Sequence, residues 1–209
     1  MLKRDINPSV VYWIDNILYL NITNKCSNNC YFCLRRFRNG IREFNLKLKR
    51  EPKIEEVIEK LRNVACKKNW KEIVFCGFGE PLERLDLVLE VTRQIKNQYW
   101  KTVRVDTNGQ GYLLKKRIDV VNELKTAGVE KVSISLNAHN KEVYNQICKP
   151  IYEGAYENVL DFIKRAKEVG LETEATAVNV PEVKISKVKE VAESLGAKFV
   201  LREYIPLFW

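Results

Sequence analysis

Cys26, Cys30 and Cys33 fall in the run Cys-Ser-Asn-Asn-Cys-Tyr-Phe-Cys, a C-x3-C-x2-C spacing. Three thiolates on one short loop are donors suited to a soft metal centre. A structural zinc site needs a fourth nitrogen or sulfur ligand. The other candidates in this chain are Cys66, Cys76, Cys148 and the single histidine, His139, and each stands alone in the sequence. A [4Fe–4S] cluster held by three cysteines keeps one iron without a protein ligand. Such an iron binds and activates a small molecule, whereas a fully ligated cluster mainly carries electrons. Six cysteines in 209 residues are too sparse for a disulfide framework, and the start Met-Leu-Lys-Arg-Asp leads into no long apolar run. No stretch approaches the roughly 18 apolar residues of a membrane span. The expected compartment is the reducing cytoplasm.

Further unusual residues follow at intervals. Gly77-Phe78-Gly79-Glu80-Pro81 combines glycines, which let backbone approach closely, with a proline that fixes the turn. Asp106-Thr107-Asn108-Gly109 is a second polar loop. Ser133, Ser135 and Asn137 share one face by the two-residue period of a strand. Polar side chains in a row are unexpected on a strand buried on both faces, so they face a ligand cavity or a water-filled interior. Glu172, Glu174 and Thr176 share a face further on, with Glu172 read as solvated. His139 reads as a surface-loop residue, Cys66 as core and Cys76 as close to the cavity. Cys148 reads as part of a loop, Ile-Cys-Lys-Pro, at the cavity's edge and is a substrate-side candidate.

These residues need a scaffold, and the chain alternates strand and helix signals six times. The strand candidates are Ile17–Thr23, Glu72–Cys76, Thr102–Asp106, Lys131–Leu136, Glu172–Val178 and Lys198–Glu203, short and rich in Val and Ile. Helical stripes lie between them: Ile54/Val57/Ile58/Leu61/Ala65, Leu85/Val88/Val91/Thr92/Ile95, Ile118/Val121/Leu124, Tyr156/Val159/Leu160/Ile163/Ala166 and Ile185/Val188/Val191/Ala192/Leu195. Gly128, Gly170 and Gly196 stand where left-handed helix caps belong. Repeated βα units imply a parallel sheet with right-handed crossovers. Six units are too few to close a barrel of eight. The expectation is an α/β fold, an open (β/α)6 partial TIM barrel with a curved six-stranded parallel sheet. A doubly wound flavodoxin-like sheet is the alternative. The reading is of a single domain, 1–209: a first strand within 11–23, a cluster loop and basic segment over 24–50, and the other βα units over 51–209. In either βα fold the site lies at the C-terminal strand ends, where the unusual residues cluster.

The cysteine spacing and the run Gly-Phe-Gly-Glu-Pro resemble the signatures of the radical S-adenosylmethionine (radical SAM) enzymes. Phe78 stands in place of the first glycine of that superfamily's Gly-Gly-Glu-Pro motif. Tyr19 to Cys26, Phe75 to Pro81 and Val132 to Ala138 further resemble the small TatD-associated radical SAM proteins. The likeness runs from about Tyr12 to Arg202. It implies that Cys26, Cys30 and Cys33 hold the [4Fe–4S] cluster, whose open iron is chelated by SAM. It assigns Phe78, Gly79 and Glu80, in the turn fixed by Pro81, to the methionyl amino group. It puts Asp106, Thr107 and Asn108 at ribose or carboxylate contacts, with Ser135 and Asn137 nearby in the cofactor cavity. Phe32, Arg202 and Tyr204 fall beside adenine. The implied reaction is reductive cleavage of SAM to a 5′-deoxyadenosyl radical that abstracts hydrogen from an unidentified substrate. A glycyl-radical activase, a deazapurine-type ring synthase and a nucleic-acid modifier all remain open, as does a non-catalytic Fe–S electron carrier or sensor.

Charge bears on partners. The net charge is +9, and Arg35, Arg36, Arg38, Arg42, Lys47, Lys49 and Arg50 face one acid, Glu43, between residues 35 and 50. A positive rim beside the cluster suits an acidic reductant such as flavodoxin or ferredoxin, or a nucleic acid. The alternative is a solvated, charge-rich surface. The resemblance adds a functional link to a TatD-type nuclease. An open barrel needs a cover over its mouth: a macromolecular substrate, a partner, or the loop 34–50. The apolar end Ile205-Pro206-Leu207-Phe208-Trp209 is expected to seal the barrel edge or dock a partner.

Overall fold

The computed structural model describes residues 8–116 and 119–204. Ile118 of the third helical stripe and the apolar end 205–209 lie outside the described residues. Among the described residues the sheet has seven strands. β1 (Val11–Ile14) and β2 (Ile17–Leu20) form an antiparallel hairpin. A two-stranded ribbon follows, β3 (Gly40–Ile41) with β4 (Phe44–Asn45). Then come α1 (Ile54–Ala65), β5 (Glu72–Phe75), α2 (Leu85–Tyr99) and β6 (Thr102–Thr107). Next are α3 (Gly111–Lys115), α4 (Val120–Ala127), β7 (Lys131–Ser135), α5 (Lys141–Cys148) and α6 (Ala155–Glu168). The chain ends in β8 (Glu172–Val178), α7 (Ile185–Ser194) and β9 (Lys198–Arg202).

The sheet order is β1-β2-β5-β6-β7-β8-β9, parallel from β2 onward. The order never reverses, whereas a doubly wound sheet turns back at a switch point. The fold is therefore an open, mostly parallel α/β sheet of the expected barrel type. The expected six strands gain a seventh, because the stretch 11–23 breaks at Asp15-Asn16. Asp15 takes the left-handed conformation there, with φ of 55°, and the chain doubles back. Tyr12 then lies opposite Tyr19, their rings stacked 4.9 Å apart.

Each inner strand alternates. Leu18, Leu20, Ile73, Phe75, Val103, Val105, Val132, Ile134, Ala175 and Ala177 are all buried in one core with the helices. Fully burying such a side chain stabilises by about 1.5–3 kcal/mol for the larger ones. Between them stand Tyr19, Arg104, Asp106, Ser133, Ser135, Glu174 and Thr176, on the opposite face. Parallel strands covered on both faces are usually apolar throughout. Here one face packs against helices and the other lines a cavity.

Three local expectations are corrected. Cys148 is the last residue of a helix. Asn140 caps α5 by accepting from Val143 N, and Tyr144, Ile147 and Cys148 are buried at i, i+3 and i+4 spacing. Cys66 is exposed at the end of α1, because the helix stripe ends at Ala65. His139 is half-buried rather than a freely exposed loop residue; burial and the charges of Lys187 and Lys184 lower its pKa.

Candidate active site at the strand ends

Residues from the first to the last strand meet in a cavity of about 440 Å³ at the C-terminal strand ends. Its wall includes Cys26, Cys30, Cys33, Phe32, Gly77, Phe78, Gly79 and Glu80 on the near side. Asp106, Thr107, Asn108, Ser133, Ser135, Asn137 and Thr176 continue it across the sheet. Pro81 is buried at the start of a single 3-10 turn, and Tyr204 packs at the edge of the core. Neither is among the lining residues.

The cysteine loop is held from three sides. Asn108 Nδ2 donates to Ser27 Oγ (2.8 Å) and lies 3.9 Å from Cys26 Sγ. Gln110 Nε2 donates to Asn28 Oδ1 (2.7 Å) and to Tyr144 Oη, which also accepts from Asn28 Nδ2. Asn29 N and Tyr31 N donate to the carbonyls of Cys148 and Ile147. Arg35 donates to the Asn24 and Asn28 carbonyls, and Arg36 to that of Cys30. Part of the basic segment thus holds the loop together. Arg42 pairs with Asp15 and Arg50 with Glu56. Lys47 and Lys49 are exposed.

The glycine turn is fitted to that loop. Glu80 N donates to the Lys25 carbonyl at 2.7 Å, and Phe78 N donates to Asn21 Oδ1 at 2.9 Å. A Cβ on Gly79 would fall 2.3 Å from the Lys25 carbonyl oxygen and 2.8 Å from that of Thr23. Only glycine allows this approach. The Phe78 and Gly79 carbonyls accept no hydrogen bond among the described residues. They are acceptors of the kind an ammonium group needs. The Glu80 carboxylate, by contrast, is 3% exposed and accepts from Leu82 N, Thr107 Oγ1 and Asn108 N. It braces the turn against β6. Burial outweighs these bonds and raises its pKa to about 7.

The thiols sit in a desolvated setting. Burial, with help from Glu80, pushes Cys26 up to about 12, and burial also raises Cys33. Cys30 is raised first by a hydrogen bond with Cys148 and then by burial. Arg35 opposes the rise at all three. A metal that binds here must displace protons, which couples its affinity to pH. Among the described residues, no three His, Cys, Asp or Glu side chains are gathered closely enough to share a single ion. In a three-cysteine cluster each thiolate takes a different iron. The donor set and the acceptor-bearing turn beside it fit a three-cysteine cluster with a zwitterionic ligand.

Several lining residues went unread in the sequence: Tyr12, Tyr19, Arg104, Arg35 and Ile41. Arg104 and Asp106 alternate on β6 as Ser133 and Ser135 do on β7, and that signal was available. Tyr12 needed the hairpin. Arg202 is exposed and lines the cavity. Cys76 lines it too; burial, then Asp106, raises its pKa.

Known proteins resemble this chain in sequence and in fold. A model described as the Radical SAM superfamily matches residues 20–195. The chain is 31% identical over 193 residues to a probable GTP 3′,8-cyclase of Methanocaldococcus jannaschii, covering 91% of this chain and 59% of that protein. It is 32% identical over 154 residues to a probable GTP 3′,8-cyclase of Saccharolobus solfataricus, covering 74% and 44%. The chain therefore spans less than two thirds of these relatives' lengths. Among solved structures, SuiB of Streptococcus suis bound to S-adenosylmethionine superposes with a TM-score of 0.67 at 17% identity, covering 92% of this chain and 39% of that one. TYW1 with a lysine-pyruvate adduct bound gives 0.64 at 20%, covering 93% and 66%. At such identities the likeness is one of fold. Radical SAM proteins bind a [4Fe–4S] cluster and SAM and need a reductant, and among the described residues no helix is long and apolar enough to cross a membrane. Family match, relatives and site chemistry agree: this chain belongs to the radical SAM superfamily and is an enzyme of that class.

Proposed function

We propose that the protein cleaves SAM reductively and uses the resulting radical on a substrate still to be identified. One observation carries the reading: the three-cysteine loop and the glycine turn meet at one cavity mouth, with Gly79 against the backbone of residues 23–25. Cys26, Cys30 and Cys33 would hold the cluster. When bound, cluster and SAM together supply a 5′-deoxyadenosyl radical, and the cofactor carries that chemistry. The chain's own tasks are binding, orientation and exclusion of water. The carbonyls of Phe78 and Gly79 accept from the methionyl amino group, and Glu80 and Pro81 hold the turn that presents them. Asp106, Asn108, Ser135 and Asn137 offer polar contacts along the sheet, and Phe32 an aromatic face. Tyr204, packed at the edge of the core beyond the lining residues, offers a second aromatic group near that end of the cavity.

GTP is the first substrate to assay, since the curated relatives are named for it. Arg202, Tyr12 and Tyr19 give the cavity a cation and rings suited to an anionic, planar molecule. The narrower likeness to TatD-associated proteins rests on three sequence runs and makes a nuclease partner the second thing to test. A flavodoxin or ferredoxin suits the exposed Lys47 and Lys49. Cytoplasmic placement suits six free cysteines.

The test is anaerobic reconstitution followed by reduction with dithionite in the presence of SAM. The expected result is about four irons and four sulfides per chain, a change in the cluster's EPR signal on adding SAM, and release of 5′-deoxyadenosine. A loaded cluster that ignores SAM and releases none leaves an electron carrier or sensor instead.

A further inference from the structure

Cys148 is fully buried, and the end of its helix holds the cysteine loop. Its carbonyl accepts from Asn29 N at 2.9 Å, and the preceding carbonyl, of Ile147, accepts from Tyr31 N at 3.2 Å. These two bonds bracket Cys30 and lay it alongside Cys148. Cys30 also packs against the core that contains Cys148, and the neighbouring Cys148 thiol helps raise its pKa. On its other side, the Cys148 sulfur accepts from Asn137 Nδ2 at 3.5 Å. Asn137 takes the left-handed conformation (φ 58°), with its own N–H on the Thr176 carbonyl. A non-glycine residue at positive φ is uncommon and costs free energy, so the surrounding structure enforces it.

The direction of a hydrogen bond between the Cys30 and Cys148 sulfurs follows from donor counting. A metal-bound thiolate carries no hydrogen. Once Cys30 is a ligand, only Cys148 has a hydrogen to place between the two sulfurs. Its sulfur already receives the Asn137 amide, which leaves the S–H free to point at Cys30. We propose that Cys148 is a positioning residue whose thiol donates a hydrogen bond to the cluster ligand Cys30, oriented by Asn137. This rests on the reading that Cys26, Cys30 and Cys33 hold the cluster. Hydrogen bonds to cluster sulfurs help set the reduction potential, because they favour the more negative, reduced state. Cys148 therefore makes the cluster easier to reduce. It also ties that ease to Asn137, a residue lining the cofactor cavity.

The experiment is an EPR-monitored redox titration of reconstituted protein without SAM, comparing wild type with Cys148→Ala and Cys148→Ser. Iron and sulfide content and circular dichroism are measured alongside. Alanine deletes the donor, so the midpoint potential shifts to more negative values while iron content stays at the wild-type level. Serine keeps a hydrogen to donate, so its potential stays close to wild type. Equal potentials in all three overturn the proposal and leave the cluster assignment standing. Loss of iron in both variants also overturns it, by making Cys148 a ligand or a packing residue. A wild-type protein that takes up no [4Fe–4S] cluster sinks the underlying reading and this proposal with it.

Discussion

The two ends of the barrel are both polar, and they solve the problem of polarity differently. The N-terminal end holds a cavity of about 190 Å³ lined by Lys71, Glu72, Arg104, Lys131, Val132, Glu172, Glu174 and Lys198. Its charges pair: Arg104 with Glu72 at 2.8 Å, Lys131 with Glu172 at 3.0 Å and Lys198 with Glu174 at 3.3 Å. At the C-terminal end, neutral amides and hydroxyls bind one another, and thiols and carbonyls border the cavity beside the charged Arg35, Glu80, Asp106 and Arg202. The same strands supply both ends, so β8 runs from Glu172 and Glu174 to Thr176. A charge taken out of water needs an opposite charge, and pairing closes that end. Neutral groups tied to the scaffold can keep a mouth open for a ligand. In barrel folds the C-terminal face carries chemistry and the N-terminal face stability.

The sharpest way to break this contrast is Gly79→Ala. The added methyl meets backbone oxygen at 2.3 Å, and backbone has no rotamer by which to retreat. The glycine turn must move off the cysteine loop. The expected outcome is loss of the SAM-induced EPR change and of 5′-deoxyadenosine release, with the cluster still assembled. A variant that responds to SAM like wild type shows that the close approach does not shape the open end.

Next in size is Arg104→Met at the closed end. The arginine is 14% exposed and lies against Glu72, 6% exposed, and Asp106 at 2.8 Å. Removing it strands two carboxylates, and breaking a buried pair costs about 3–5 kcal/mol. Urea unfolding of the cluster-free protein measures this. Adding Glu72→Gln recovers part of the loss. A cost below about 1 kcal/mol means that water already serves these charges and the end is not closed.

The third prediction is a pH dependence belonging to the open end. Glu80, raised to about 7 by burial, starts from an ordinary value of 4.5. Its folded pKa lies above its unfolded one, so the folded state holds the extra proton between them. Stability therefore falls as pH rises from about 4.5 to 7, by on the order of 3 kcal/mol for this group. Asp106 is also raised by burial and acts in the same direction. Thermal unfolding of the cluster-free protein from pH 5 to 8 reads the slope. Glu80→Gln flattens it, although its amide meets the Asn108 N–H and lowers stability at every pH. An unchanged slope assigns the effect elsewhere.

The open end was legible where its chemistry is local. Three cysteines in eight residues, a glycine turn and the alternation of Ser133, Ser135 and Asn137 need no partner to be seen. The caps at Gly128, Gly170 and Gly196 were legible too, and all three take positive φ. What escaped depends on distant segments. β1 was merged with β2 because Asp15-Asn16 lacks the glycine of a strong hairpin signal. Cys148 read as loop because α5 is eight residues long and bounded by polar residues. The basic segment read as a rim, but Arg35 and Arg36 donate to carbonyls of the cysteine loop. The Arg104–Glu72 pair joins neighbouring strands 32 residues apart in sequence, and only the sheet register reveals it.

The smallest expected effect tests whether the closed end is graded or uniform. Lys198 reaches Glu174 at 3.3 Å, but its side chain is 73% exposed and that of Glu174 20%. Water competes for the ammonium, and an exposed pair of this sort contributes about 0.2–1 kcal/mol. Lys198→Ala therefore lowers stability by no more than that, and the difference shrinks in 1 M salt, where screening acts within about 3 Å. Arg104→Met keeps its full cost in the same salt, because its partners are shielded from the solvent that carries the ions. Salt thus separates the two pairs even if their costs in dilute buffer overlap. Should Lys198→Ala prove as costly and as salt-resistant as Arg104→Met, the closed end is one buried network reaching β9. The last strand would then be held by charge as firmly as the centre of the sheet.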